Sequence, residues 1–259
     1  MNDKPLAGKG IVVTRPARQA ERLAKLIRAA GGEAILYPVI EIRDVDDPAR
    51  LNGLIDRLDE FDLAVFISPN AAGKAIGLIE ARRALPATLA VAAVGPGTAK
   101  ELAGLGIANV VAPGGRGDSE ALLALPQLAQ PRGKRVIVFR GDGGRELLAD
   151  ELTARGALIE YATCYRRVRP DLDPAPLFAA WASRHLNAVT VTSSEGLRNL
   201  CEMVGAAGRE LLAQTPLFVT HPRIGQTADE VGMSTVIVTR EPGDEGLVAA
   251  VVEHFTTSG

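Results

Sequence analysis

The sequence has few aromatic residues, few histidines, only two cysteines and almost no net charge. Aromatic residues make up 4% of the 259 residues, and Cys164 and Cys201 lie too far apart to form a CxxC motif. The histidines, His185, His221 and His254, do not cluster with the cysteines, so we predict no zinc site or other metal centre. A net charge of −2 argues against a surface that coats nucleic acid, and we predict no nucleic-acid partner.

Long apolar runs are also missing from the sequence. No stretch approaches the length that a membrane span requires, and the first ten residues, MNDKPLAGKG, contain no apolar signal-peptide core. We therefore expect a cytoplasmic protein without a membrane partner, and the two dispersed cysteines agree with a reducing compartment.

The sequence is rich instead in small and branched apolar residues. Their fraction is 47%, mostly Ala, Val, Leu and Ile, which is typical of parallel strands covered by helices. The segment GIVVTR (10–15) indicates a strand, and the helical pattern after it places Ala20 and Ile27 on one face. Gly31 ends that helix before a second extended segment, EAILYPVIEI. Together these segments predict a β-α-β unit.

The same organisation returns about 125 residues later. Equivalent places separated by 125 residues are held by Arg15 and Arg140, Gly31 and Gly156, and Ser68 and Ser193. In the fourth element Thr98 aligns with Thr227 at a separation of 129, from which we infer that the second copy of this helix is three residues shorter. A duplicated chain of alternating strands and helices predicts an α/β protein with two similar domains, each a parallel sheet flanked by helices.

Two charged segments, 41–50 and 166–177, occupy corresponding places in the two copies and are candidate linkers. If both connect the same two domains, the chain crosses over, fills the second domain and crosses back. The first β-α-β unit then joins the C-terminal elements. A division near residue 125 is the alternative.

The turn Gly95-Pro96-Gly97-Thr98 raises the question of what the strand ends bind. A dinucleotide fingerprint needs a third glycine at position 100, which is Lys100, and the P-loop pattern is absent. Ligands of open parallel sheets bind at the carboxyl ends of the strands, where helix N-termini favour anions. Helix capping accounts for the same Ser and Thr residues without a ligand. The residues alone leave both interpretations open.

Two arginines and one tyrosine are candidates for chemistry. Arg15 and Arg140 end equivalent strands and are suited to bind a carboxylate-rich ligand. Tyr165 follows an extended segment just before a linker, so we expect it to face the space between the domains. Its hydroxyl could donate a proton to a leaving group, and packing at a domain edge is the alternative.

With the repeat and these residues established, the chain resembles the uroporphyrinogen-III synthase family over nearly its whole length. The order and spacing of the motifs carry the resemblance more than any one of them. The most telling segments are VVTRP, FISPNAA, AAVGPGTAKEL, VFRGDGGRELLADELTARGA, ATCYRRV and TSSEGLRNL.

The resemblance implies an enzyme of tetrapyrrole and heme biosynthesis that needs no cofactor. It would be a cyclising hydro-lyase that converts hydroxymethylbilane, a linear tetrapyrrole with eight carboxylates, to uroporphyrinogen III with inversion of ring D and loss of water. It would bind the substrate carboxylates in a cleft between the domains and receive the substrate by transient hand-over from the enzyme that makes it. We expect a monomer, because the duplication already supplies two domains and a cleft. The implied fold has two α/β domains, 1–38 plus 172–259 and 39–171, joined by a two-stranded crossover linker.

The resemblance also assigns roles to individual residues. Tyr165 matches the tyrosine that assists departure of the hydroxyl group, Thr98 and Thr227 match paired turn threonines, and Ser68 and Ser193 match serines that follow strands. The segment THPRIGQTA departs from the more common Ile-Gly-Pro pattern of the family.

A small-molecule binding protein is the competing function. Two similar α/β domains with two crossovers also describe periplasmic-type solute binders and their cytosolic relatives, which close on sugars or amino acids. The scarcity of aromatic residues argues against sugar binding.

Overall fold

The computed structural model describes residues 4–114, 117–143, 146–241 and 243–257, and it divides into two compact units. The first unit consists of Met1–Glu41 and Val168–Gly259, and the second consists of Ile42–Arg167. The chain thus passes from one unit to the other within both segments that we interpreted as linkers. The domain limits 1–38 plus 172–259 and 39–171 stay predictions.

Strands and helices alternate along most of the chain. In chain order the elements are β1 (Gly10–Val13), α1 (Ala17–Ala29), β2 (Glu33–Leu36), β3 (Glu41–Arg43), α2 (Ala49–Asp56), β4 (Leu63–Phe66), α3 (Pro69–Glu80), β5 (Ala90–Ala93), α4 (Pro96–Gly104), α5 (Ser119–Leu123), β6 (Arg135–Gly141), α6 (Leu147–Ala154), β7 (Leu158–Val168), α7 (Ala175–Ala182), β8 (Leu186–Val191), α8 (Ser194–Ala213), β9 (Leu217–Val219), α9 (Pro222–Glu230), β10 (Val236–Val238) and α10 (Gly243–Thr257). Across the described ranges, no helix is both long and apolar enough to cross a membrane.

Each unit is built around a sheet that is mainly parallel. The first unit has the strand order β10-β9-β8-β1-β2, and every neighbouring pair in it is parallel. The second unit has the order β3-β7-β6-β4-β5, in which β7-β6, β6-β4 and β4-β5 are parallel. The structure therefore confirms the predicted fold class of two α/β units with helix-flanked sheets.

The duplication is visible in the strand orders. The pair β1 and β2 joins β8 and β9 in the first unit, whereas β6 and β7 join β4 and β5 in the second. An isolated parallel bridge between Ala92 and Val111 occupies the place that the β9–β10 pairing has in the first unit. Because β4 lies between β5 and β6, strands from both sides of residue 125 share one sheet.

Local sequence accounts for the equivalent helix ends. Gly31 and Gly156 follow α1 and α6 with φ angles of 88° and 90°, a conformation that glycine adopts without the penalty of a side chain. The predicted inward residues of α1, Ala20 and Ile27 among them, are buried. In the second unit Phe66 and Phe139 stack at 4.8 Å between ring centroids on neighbouring strands.

A group of ion pairs connects strands of the second unit at the start of β6. Arg135 donates hydrogen bonds to Glu160 at 2.8 Å and to Glu60 at 2.6 Å, and Arg57 lies 3.1 Å from each of the same two carboxylates. The hydrogen bond from Arg135 is the main reason that the pKa of Glu160 lies below its ordinary value, and Arg57 lowers it further. A carboxyl group with a lowered folded-state pKa stabilises the fold above its ordinary pKa and loses that contribution as the pH falls below it.

We expect Glu160→Gln to lower the midpoint of thermal unfolding by about 2 °C at neutral pH, because it removes a partly exposed pair. The difference from the wild type should shrink as the pH falls below the ordinary glutamate pKa of 4.5, because the unfolded chain then takes up a proton before the folded carboxylate does. Calorimetry at about pH 7 and at about pH 3.5 checks both points. Glu151→Gln is the control, since Glu151 lies 3.8 Å from Arg155 on an exposed helix face, and a pH-independent loss in Glu160→Gln would contradict the assignment.

Candidate functional site

In the second unit, Ser68, Thr98 and Arg140 follow or end neighbouring parallel strands. Ser68 comes two residues after β4, Thr98 lies in the first turn of α4 after β5, and Arg140 is the penultimate residue of β6. Because β4 pairs in parallel with both β5 and β6, these residues share the carboxyl edge of the sheet. This edge is where an open α/β sheet binds its ligand.

Ser68 and Tyr165 are brought together at this edge. Ser68 is the N-cap of α3, where its Oγ accepts a hydrogen bond from the Ala71 N–H at 3.1 Å. The same Oγ lies 3.1 Å from the Tyr165 hydroxyl oxygen. Tyr165 is only 1% exposed, and its ring packs within the core of the second unit rather than at an open edge. The expected position facing the space between the domains stays a prediction.

A shift in strand register explains why Tyr165 is buried. Arg140 pairs with Thr163 but Gly141 pairs with Tyr165, so β7 contributes one extra residue, Cys164, at this point. The extra residue breaks the two-residue alternation of a strand, and Cys164 and Tyr165 are consecutive buried residues. Gly141 makes room for the ring, because a Cβ on Gly141 would lie 2.6 Å from both Cε2 and Cζ of Tyr165.

Neither cysteine is suited to act as a nucleophile. Burial raises the pKa of the Cys164 thiol to about 12 and also raises the pKa of the Cys201 thiol. Both side chains are free and buried, so the reactive thiolate form is scarce at neutral pH. Within the described ranges, no group of three His, Cys, Asp or Glu side chains is placed to hold a metal ion.

The glycine turn before α4 has a packing reason. Gly95 is the N-cap of α4, and a Cβ built on Gly117 would lie 2.3 Å from the Gly95 Cα. The two backbones therefore touch, which only glycine permits, and part of this helix N-terminus is covered by its own chain. Thr98 is buried within the first turn of α4.

Arg140 lines a small, partly open pocket in the second unit. The residue is 7% exposed, its guanidinium lies 4.7 Å from the centroid of the Tyr161 ring, and its Nε donates to the Gly141 carbonyl at 3.3 Å. Burial raises the pKa of Tyr161, and the charge of Arg140 opposes that shift. A cavity of about 120 Å³ adjoins both side chains and is lined mainly by apolar residues, with Ser119 as a further polar one.

In the first unit, Ser193 and Thr227 lie at neighbouring helices. Ser193 is the N-cap of α8 and accepts a hydrogen bond from the Gly196 N–H at 2.9 Å, as Ser68 does in the second unit. Thr227 is buried, and its Oγ1 lies 2.9 Å from Oγ of Ser194, the first residue of α8. Thr227 therefore connects α9 to the start of α8.

The inferred equivalence of Thr98 and Thr227 is wrong in the structure. The N-cap of α9 is His221, which lies 126 residues after the N-cap Gly95 of α4, and both helices have 9 residues. The second copy of the helix is therefore not shorter, and Thr98 corresponds in position to Ile224. Thr227 lies in the second turn of α9, not in the turn before it. The missed signal is the proline after each cap, since proline favours the first helical position.

Arg15 is engaged by a carboxylate of the protein itself. Its guanidinium forms an ion pair with Asp244, whose side chain is 7% exposed and lies in the first turn of α10. The side chain of Arg15 is 19% exposed, so part of it remains available to a ligand. Sequence reasoning placed Arg15 at a strand end but could not identify Asp244, because the two residues are 229 positions apart.

Three further residues at these edges were not among the predicted catalytic and substrate-binding residues. They are Ser194, Gly141 and Thr239, which follows β10. The Thr239 Oγ1 is buried without a hydrogen-bond partner, alone among the side-chain N and O atoms of the described residues. Their roles depend on neighbours in space, which no local pattern shows.

Comparison with known proteins finds one family along nearly the whole chain. The family model described as uroporphyrinogen-III synthase HemD matches residues 21–249. The uroporphyrinogen-III synthase of Escherichia coli is 33% identical over 243 residues, which cover 93% of this chain and 99% of that protein. The enzyme of the same name from Synechococcus elongatus is 30% identical, with 97% of each chain covered.

Solved structures agree with the fold. A mutant uroporphyrinogen III synthase from Thermus thermophilus superposes with a TM-score of 0.63 at 20% identity, covering 97% of this chain and 100% of that chain. A uroporphyrinogen-III synthetase from Helicobacter pylori gives the same TM-score of 0.63 at 15% identity, covering 95% and 99%. At these identities the superpositions show a common fold.

Proposed function

The chain belongs to the uroporphyrinogen-III synthase family, and we propose that it cyclises hydroxymethylbilane to uroporphyrinogen III with inversion of ring D and loss of water, as a hydro-lyase. The observation that carries the proposal is that the family match spans both compact units rather than one of them. The region that the family model matches therefore includes strands of both sheets.

The reaction does not require a strong acid from the protein. The hydroxyl group leaves readily from a pyrrolic methylene because the pyrrole nitrogen supplies electrons and an azafulvene forms. The main task is then conformational: the substituted carbon of ring D must attack first, so that the ring is inverted through a spiro-pyrrolenine. Holding the substrate in that geometry is a positioning effect. We propose that the Tyr165 hydroxyl is the source of the proton that leaves with the hydroxyl group.

The substrate carboxylates require donors distributed along a flexible molecule. In the second unit we propose substrate contacts at Ser68, Thr98 and Arg140. Ser68 and Thr98 lie at the starts of α3 and α4, where the positive helix ends favour negative charge. Arg140 is suited to a carboxylate because its planar guanidinium can donate two parallel hydrogen bonds.

The first unit offers a second set of proposed contacts. These are Arg15, Ser193 and Thr227, with Ser194 bonded to Thr227 at the start of α8. The N-terminus of α8 corresponds to that of α3, since each begins after a serine cap. We also propose that the protein acts as a monomer, needs no cofactor and receives hydroxymethylbilane from the enzyme that makes it.

The isomer of the product tests the proposal directly. We expect the purified protein, added to a system that generates hydroxymethylbilane, to divert the product from uroporphyrinogen I to uroporphyrinogen III. Chromatography of the oxidised products measures the ratio of the two isomers, and heat-denatured protein is the control. Accumulation of isomer I alone would overturn the proposed function.

A further inference from the structure

The hydroxyl groups of Ser68 and Tyr165 lie within hydrogen-bond distance of each other, and Ser68 is the more exposed of the two residues. Resting on the proposed function, we propose that they act as a relay: Ser68 gives its proton to the leaving hydroxyl group of the substrate, and Tyr165 replaces that proton. Ser68 is then the residue that contacts the reacting group, and Tyr165 acts through it.

Hydrogen-bond capacity favours this direction. A backbone N–H can only donate, so Ser68 Oγ accepts from Ala71 and keeps one proton and one further lone pair. The Tyr165 hydroxyl, 3.1 Å away, can fill that lone pair by donating its proton. The Ser68 proton is then left for a group outside the pair.

Burial sets which hydroxyl group a substrate meets first. Tyr165 is 1% exposed, whereas Ser68 is only partly buried. The β7 register shift directs the Tyr165 ring into the core of the unit. Because Gly141 has no side chain, the ring packs directly against the backbone of β6. A fixed ring keeps its hydroxyl aligned with Ser68, as a relay requires.

The helix that follows Ser68 favours the charge that develops. Ser68 Oγ lies at the N-terminus of α3, a helix of 12 residues, where the positive end of the helix dipole stabilises negative charge. As the C–O bond breaks, negative charge grows on the departing oxygen and on the oxygen that gives up a proton. Both charges arise beside this helix end.

The proton and electron accounts balance. The electron pair of the C–O bond leaves with oxygen, and the pyrrole nitrogen lone pair forms the double bond of a protonated azafulvene, whose positive charge matches the negative charge left on Tyr165. The oxygen departs as water with the Ser68 proton, and the Tyr165 proton moves to Ser68. The resulting phenolate recovers the proton that is released when the last pyrrole ring regains its aromaticity.

A double-mutant cycle tests the relay. We expect Ser68→Ala and Tyr165→Phe each to lower kcat by about 100-fold, and the double variant to lower it by no more than about threefold beyond either one, because residues that act as a unit are not additive. KM should stay within about threefold of the wild type. Ser68→Thr keeps the hydroxyl group and should restore most of the turnover.

Controls separate the relay from capping and from the proposed function. Ser193→Ala removes the equivalent helix cap and should lower the midpoint of thermal unfolding about as much as Ser68→Ala does. The comparison shows how much of the Ser68→Ala effect comes from the loss of a cap. A double variant reduced by the product of the two effects, about 10⁴-fold, would overturn the relay. So would a Ser68→Ala enzyme with a raised KM and unchanged kcat. Loss of isomer III in the wild type would instead overturn the function itself.

Discussion

Tyr165→Phe is expected to lower kcat for uroporphyrinogen III formation by about 100-fold, at the lower end of what a positioned proton donor contributes. The lower end applies because the pyrrole nitrogen already assists departure of the hydroxyl group. The ring stays in place, since Phe fills the same space behind Gly141. Only one hydrogen bond to Ser68 is lost, and the free energy of unfolding should fall by about 1 kcal/mol.

Steady-state kinetics with chemical denaturation on the same samples measures both quantities. Because hydroxymethylbilane also closes without enzyme, a slow variant should release more isomer I, which gives an independent readout. Tyr37→Phe is the matched control. Tyr37 is a buried tyrosine of the first unit whose hydroxyl donates to the Leu172 carbonyl at 3.2 Å. An unchanged rate in Tyr165→Phe would remove Tyr165 from the chemistry.

Arg15→Gln is expected to lower the free energy of unfolding by about 3 kcal/mol, because it leaves the buried Asp244 carboxylate without its cation. The value lies at the lower end of the range for broken buried pairs, since Asp244 also lies in the positively polarised first turn of α10. The double variant with Asp244→Asn should recover most of this loss.

The same variants separate the structural role of Arg15 from its proposed substrate contact. If Arg15 binds a substrate carboxylate, the double variant should regain stability but keep a raised KM. Arg22→Gln is the control, because Arg22 of α1 pairs with Glu245, the residue after Asp244 in α10, but the two side chains are 62% and 60% exposed. No measurable loss is expected there. Equal losses in Arg15→Gln and Arg22→Gln would contradict the importance of burial.

The repeat was predictable because each local signal agreed with the next. Strand, helix and terminating glycine recur at one spacing, and Gly31 and Gly156 have the same left-handed conformation. Ser68 and Ser193 recur as helix caps with the same hydrogen bond to the third following residue. Signals of this kind depend on residues close together in the sequence, so they can be recognised without the structure.

One local signal was misread, and other features of the site depend on distant parts of the chain. A threonine-alanine match outweighed the proline after His221, and α9 was therefore placed too late. The burial of the Tyr165 ring depends on a register shift between β7 and β6, which no local pattern shows. The partner of Arg15 is 229 residues away, beyond any pattern in sequence. Pairing register and tertiary ion pairs must be seen in the structure.

Each sheet contains strands from both halves of the repeat, and this arrangement affects the order in which the newly synthesised chain can fold. The second unit is contiguous, so all of Ile42–Arg167 is synthesised before β8. The strand β1 is synthesised first, yet its neighbour β8 pairs with it through contacts such as Thr14 to Thr190, 176 residues apart. We therefore expect the second unit to fold first, with β1 and β2 lacking their neighbour β8 until translation is nearly complete.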